Sequence, residues 1–72
     1  MTEDTLVRMA NQIADFFKVQ PEADAAAGAA DHIRKFWDPR MRAKMREHLK
    51  AGGEGLSPLA REAAERACRA DA

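Results

Sequence analysis

The chain of 72 residues has a single cysteine, Cys68, so no disulfide can close within it. Domains this small usually rely on disulfides, a bound metal or a partner to supplement a thin core. A metal is poorly provided for as well. His32 and His48 stand sixteen residues apart, with no second histidine or cysteine at ligand spacing. Uninterrupted apolar runs are short, and none approaches the roughly 20 residues that cross a bilayer. The opening Met1-Thr2-Glu3-Asp4 lacks the basic-then-apolar layout of a secretory leader. A lone thiol also fits a reducing compartment. A cytoplasmic protein without membrane contact is therefore expected.

Catalytic constellations are equally scarce. Cys68 falls near the C-terminal end of the last expected helix, where the dipole disfavours a thiolate. Gly52-Gly53-Glu54-Gly55 has neither the preceding strand nor the Gly-Lys-Ser/Thr signature of a phosphate-binding loop. Followed by Leu56-Ser57-Pro58, it reads as a connector between helices. Catalytic, metal and cofactor-binding residues are accordingly expected to be absent from this chain.

Net charge is zero, twelve cations against twelve anions, but the charges are not evenly spread. Residues 31–50 carry Arg34, Lys35, Arg40, Arg42, Lys44, Arg46 and Lys50 against Asp31, Asp38 and Glu47. Such a block is a solvated face or a binding face for acidic partners. With Phe36 and Trp37 inside it, a small helix-turn-helix module for nucleic acid is one alternative. The lack of net positive charge argues against that alternative, because phosphate binding would gain no general attraction.

What is present is helical patterning. Thr2 is a suitable N-cap for a first helix over 3–18, with Glu3 and Asp4 at the positive end of its dipole. Leu6, Met9, Ile13, Phe16 and Phe17 recur along it at helical spacing. Pro21 closes that helix and suits the first position of a second over 21–37, with Glu22 and Asp24 in its first turn. Ala26, Ala29 and Ala30 on this helix would let another helix approach closely. Asp38-Pro39 opens a third helix over 39–50, where Met41, Met45 and Leu49 stand four apart and His48 sits on their shoulder. Glycines end it, and Ser57-Pro58 starts an alanine-rich fourth helix over 58–68, expected to fray past Cys68. No stretch reads as a strand and no repeat is visible. The expected fold is one small all-α domain of three to four short helices joined by proline and glycine turns.

The run Ile33 to Met41 crowds two aromatics, a methionine and arginines around a turn. Tryptophan, methionine and arginine are enriched at protein interfaces. Adjacent helical residues point about 100° apart, so one of Phe36 and Trp37 can face the core and the other a partner. Docking onto a larger protein is the use that fits this composition.

Three blocks also carry a family resemblance. Arg8-Met9-Ala10-Asn11-Gln12-Ile13 followed by Phe16-Phe17 resembles the opening of the delta subunit of soluble NAD-dependent formate dehydrogenases. The run from His32 to Arg42 and the run from Gly52 to Leu59 resemble later parts of that subunit, in the same order. Together they cover the chain from about Leu6 to Ala64, the middle block being the most specific. Residues 19–30 match no motif of that family.

The resemblance implies a non-catalytic accessory subunit of a cytoplasmic molybdenum- or tungsten-containing enzyme, associated with assembly, stability or acquisition of the pterin cofactor. Its partner subunits would carry the bis-pyranopterin metal, iron-sulfur clusters, FMN and the NAD site, and this chain none of them. The catalytic large subunit would be met by Met9, Asn11, Phe16, His32, Phe36, Trp37, Arg40 and Arg42. In that expectation Trp37 is the anchor, and Arg40 and Arg42 pair with the partner's carboxylates or carbonyls. A transient assembly chaperone that leaves the mature enzyme is the alternative within the resemblance. The isolated chain would also be able to self-associate through its apolar faces.

Overall fold

Each helix of the chain begins at a side chain that accepts a backbone N–H of its first turn. In the computed structural model, which describes residues 2–19 and 24–69, α1 runs Glu3–Lys18, α2 Ala25–Phe36, α3 Pro39–Lys50 and α4 Pro58–Cys68. Their N-caps are Thr2, Asp24, Asp38 and Ser57. All four sit at extended backbone angles and satisfy a donor left orphaned at the helix start. Proline at the start of α3 and α4 has no N–H to leave unsatisfied. Among the described residues there is no strand, and the fold is all-α as expected.

One boundary differs from the sequence reading. Asp24, placed there inside the first turn of a helix opened by Pro21, is instead the N-cap of α2, at φ −71° and ψ 102°. Pro21 and Glu22, assigned to the start of that helix, lie outside the described residues. So do the residues after Arg69, where fraying was expected. At its other end α2 stops at Phe36, and Trp37 turns out of the helix at φ −88° and ψ 136°.

The core is built largely from small side chains. From α2 it takes Ala26, Ala29, Ala30 and Ile33, and from α4 Ala60, Ala63, Ala64, Ala67 and Cys68. These two helices make the most extensive contact in the structure. Leu6, Ala10 and Ala14 of α1 and Met45 and Leu49 of α3 pack around them, with Trp37. The stripe expected for α1 is therefore rotated. Its core face is Leu6-Ala10-Ala14 at four-residue spacing, while Met9, Ile13 and Phe17 are half-buried beside it and Phe16 is exposed.

Side chains also tie distant segments together through backbone groups. Asn11 Nδ2 donates to the Gly55 carbonyl at 3.0 Å, and the Ser57 N–H donates to Asn11 Oδ1 at 2.9 Å. This pair fixes the loop before α4 onto the middle of α1. At the end of α3, Gly53 (φ +65°) donates to the His48 carbonyl at 2.9 Å, a left-handed stop that glycine adopts without strain. His48 Nε2 lies 2.7 Å from the Glu54 carbonyl, and Nδ1 lies 3.7 Å from the Glu3 carboxylate. The shoulder histidine thus braces a turn.

Two predictions follow from the α1–α2–α4 junction. The Ala27 N–H that Asp24 caps holds its carboxyl below the usual aspartate range, opposed by some desolvation and helped by Arg66, 3.6 Å away. A depressed folded value means the contribution is present above the unfolded value and lost as pH falls through the folded one. Asparagine caps as well as aspartate but does not titrate. Asp24→Asn should therefore flatten the fall of Tm below about pH 4, read by thermal melts across the acid range.

Gly28 supplies the second prediction. A Cβ there would stand 2.7 Å from Phe17 Cδ1 and 2.8 Å from Cε1. Overpacking costs about 1–3 kcal/mol and the gain in helix propensity returns about 1. Gly28→Ala should be net destabilising, and Phe17→Leu should relieve part of that cost in a double-mutant cycle.

Candidate docking surface

The α1 helix carries more large apolar side chains than its core face uses. Met9, Gln12, Ile13, Phe16 and Phe17 lie along the flank that turns toward α2 and the start of α3. There they meet His32, Phe36, Trp37 and Met41, and the nine residues line an open groove of about 430 Å3. Phe16 is 61% exposed and Phe36 is 70% exposed. An isolated exposed apolar residue needs no explanation, but two phenylalanines on one apolar groove make a contiguous patch of the kind that marks an interaction site.

The rings are arranged in sequence along this surface. Phe16 meets Phe17 edge-on, with centroids 5.2 Å apart at 87°. Phe17 meets His32 at 6.4 Å and 63°, and His32 lies against Phe36 at 4.5 Å and 32°. Edge-to-face and offset contacts of this kind suit the ring quadrupoles and hold the exposed rings in place before any partner arrives. Since ordering side chains is part of the cost of association, a surface held this way starts with some of that cost already met.

Of the residues expected to meet a partner, Met9, Phe16, His32, Phe36 and Trp37 come together on this groove. Their exposures differ from expectation in one respect. Trp37, expected to project as the anchor, is 3% exposed and belongs to the core. The reason is local: α2 ends one residue earlier than expected, and the extended backbone at Trp37 folds its ring back over the helices. Phe36 is left as the outward aromatic of the pair, and Trp37 forms part of the groove's floor.

Asn11 and Arg42 are used internally. The amide of Asn11 is occupied by Gly55 and Ser57, as described above. Arg42 Nη1 donates to the Trp37 carbonyl at 2.6 Å and to the Arg34 carbonyl at 3.3 Å, closing the C-terminal end of α2. Arg40 is exposed and lies on a neighbouring cavity that shares Met41 with the groove. Gln12, Ile13, Phe17 and Met41 also line the groove but were not among the residues expected to meet the partner, although Met41 closes the run read as interface-like and Ile13 and Phe17 belong to the apolar stripe read for α1. Met9-Ile13 and Met9-Phe16 spacings carry the signal, yet the same spacings describe a core stripe.

Three of the seven cations in the basic block brace the fold. Arg34 donates to the Arg66 carbonyl at 3.0 Å and Arg46 to the Cys68 carbonyl at 3.1 Å. With Arg42 on Trp37 and Arg34, three of the arginines close helix ends, where carbonyls lack intrahelical partners and the dipole favours cations. Arg61, from α4, similarly donates to the Gly52 carbonyl.

Cys68 is buried. Its lone thiol does not fit an iron-sulfur cluster, which normally takes four. Among the described residues no group of three or more His, Cys, Asp or Glu side chains converges where a metal ion could sit. No helix among them is long and apolar enough to cross a membrane.

A small all-α chain with an exposed aromatic groove is the class these features define. The family model described as NADH-dependent formate dehydrogenase delta subunit, FdsD, matches residues 5–64, and the chain belongs to that family. No curated protein and no solved structure matches it.

The contrast between the adjacent aromatics is directly measurable. Trp37→Ala should cost about 3–5 kcal/mol, enough to unfold a domain of this size, whereas Phe36→Ala should stay within about 0.5 kcal/mol. Urea denaturation followed by helical circular dichroism checks both.

Proposed function

We propose that this chain is a non-catalytic accessory subunit of a NAD-dependent formate dehydrogenase that docks on the catalytic large subunit through the groove between α1 and α2. In this reading it supports assembly and stability of the complex or its acquisition of the pterin cofactor. The bis-pyranopterin metal, iron-sulfur clusters, flavin and NAD site belong to the partner subunits. The family supplies the complex. The observation that carries the docking surface is the exposure of Phe16 and Phe36 on one pre-arranged apolar groove.

The composition of that groove suits an interface centre. It is rich in aromatic side chains and methionine, and its lining includes no lysine, glutamate or aspartate, the types depleted from interface cores. Flexible methionines such as Met9 and Met41 adapt to an apposed surface. The nucleic-acid alternative loses support for a physical reason. Arg34, Arg42 and Arg46, three of the cations that made the basic block conspicuous, each donate to helix-end carbonyls.

The test is a pull-down of the tagged chain from its native cytosol, comparing wild type with Phe16→Ser/Phe36→Ser and assaying formate-dependent NAD reduction in the eluate. Truncating an interface anchor costs about 2 kcal/mol or more, so each substitution should weaken retention of the large subunit by about 30-fold, and the double variant by more, up to about a thousandfold where the two act independently. Its helical content and Tm should stay close to wild type. Retention of the large subunit undiminished by the double variant would remove the groove from the interface. Fixed stoichiometry in the active enzyme distinguishes a permanent subunit from an assembly chaperone, which leaves.

A further inference from the structure

The groove does not end at Met41. That side chain is shared with a second cavity of about 410 Å3 lined by Asp38, Arg40, Met41 and Lys44, so the apolar trough runs out onto a charged shelf at the start of α3. Asp38 is the carboxylate of this shelf, and its Oδ1 accepts the Met41 N–H at 2.9 Å as the N-cap. Arg40 is exposed and makes no ion pair among the described residues. Arg8 makes none either, and it stands exposed on α1 one turn before the groove residue Gln12. Several other surface cations are paired: Lys35 meets Asp31, Lys50 meets Glu47, Arg66 meets Asp24 and Glu62, and Arg69 meets Glu65.

We infer that groove and shelf together receive an amphipathic helix of the catalytic subunit, its apolar side chains in the groove and its carboxylates against Arg8 and Arg40. The inference rests on the docking reading above and adds the chemistry of the docked segment. Among the described residues there is no strand whose edge an extended peptide could join, so strand addition has no template. A trough between two helices takes a third helix at ordinary packing distance, with side chains at i, i+3 or i+4 and i+7 entering it. Two guanidinia without ion-pair partners beside an apolar trough favour an acidic flank on that helix over a neutral or basic one.

The test uses the full chain and the intact catalytic subunit. Binding of the immobilised chain is measured from about 50 mM to about 500 mM salt, a range over which screening of exposed charges becomes severe. Arg8→Glu/Arg40→Glu should weaken association by about tenfold or more at low salt, mostly in the association rate. Arg8→Gln/Arg40→Gln should flatten the salt dependence. Circular dichroism verifies that both variants keep wild-type helicity.

Arg40→Lys then supplies an amine for zero-length carbodiimide coupling, and mass spectrometry identifies the carboxylate it reaches. A coupled Glu or Asp within an amphipathic segment of the large subunit is the expected result. Wild-type binding by the charge-reversed chain, or coupling only to a second copy of this chain, would overturn the inference. If binding still depended on Phe16 and Phe36 in that case, the docking reading would stand without it. If the wild-type chain fails to bind the large subunit at all, both fall.

Discussion

Where α2 meets α4, the side chains in contact are mostly a single methyl group. Ala26, Ala29 and Ala30 on one helix and Ala60, Ala63, Ala64 and Ala67 on the other are all nearly or fully buried. Small side chains let helix backbones approach closely, and close approach multiplies dispersion contacts that are individually about 0.1–0.2 kcal/mol. They also cost little conformational entropy to bury. Because the centre is filled this way, it has little room for large rings. Ile33, Leu6, Met45 and Trp37 complete it, and the remaining aromatics of α1 and α2 are displaced to the flank, where they make the groove. The alanine contact thus decides both how the chain is held together and what it presents outside.

A second constraint is the satisfaction of helix ends. Short helices have many ends per residue, and each end exposes carbonyls that need donors. Here arginine supplies them: Arg34, Arg42, Arg46 and Arg61 each reach a carbonyl near the end of a helix. The long guanidinium fork suits this use because it reaches across a turn and keeps its charge. A stretch that looks like an electrostatic binding face in one dimension is, in three, partly internal bracing. Arg40 and Lys44 of this stretch line the shelf beside the groove, and Arg8 stands exposed on α1.

The fold was largely legible in the sequence because its punctuation is local. Thr2, Asp38-Pro39, the glycine run and Ser57-Pro58 mark helix ends by mechanisms that need no tertiary context. Asp24 was misjudged because a proline three residues earlier offered an equally good start. The surface was less legible. Phe16 and Phe17, or Phe36 and Trp37, are chemically equivalent candidates for inside and outside. Which of each pair faces inward depends on where α2 ends and on how far the alanine face rotates α1, and neither is encoded in spacing alone. Asn11 looked like a partner contact because its true partners, Gly55 and Ser57, lie more than forty residues away.

That separation has a consequence for how the chain is made. The partners of Asn11 and the whole second face of the alanine contact lie at or beyond Gly55, in the last quarter of the sequence. During synthesis α1, α2 and α3 leave the ribosome first, each too short to be stable alone in water. Their apolar faces stay uncovered until α4 has followed them out of the exit tunnel. The decisive step of folding therefore waits for the last helix, and the nascent protein passes through an interval in which a large apolar surface is open to whatever is nearby.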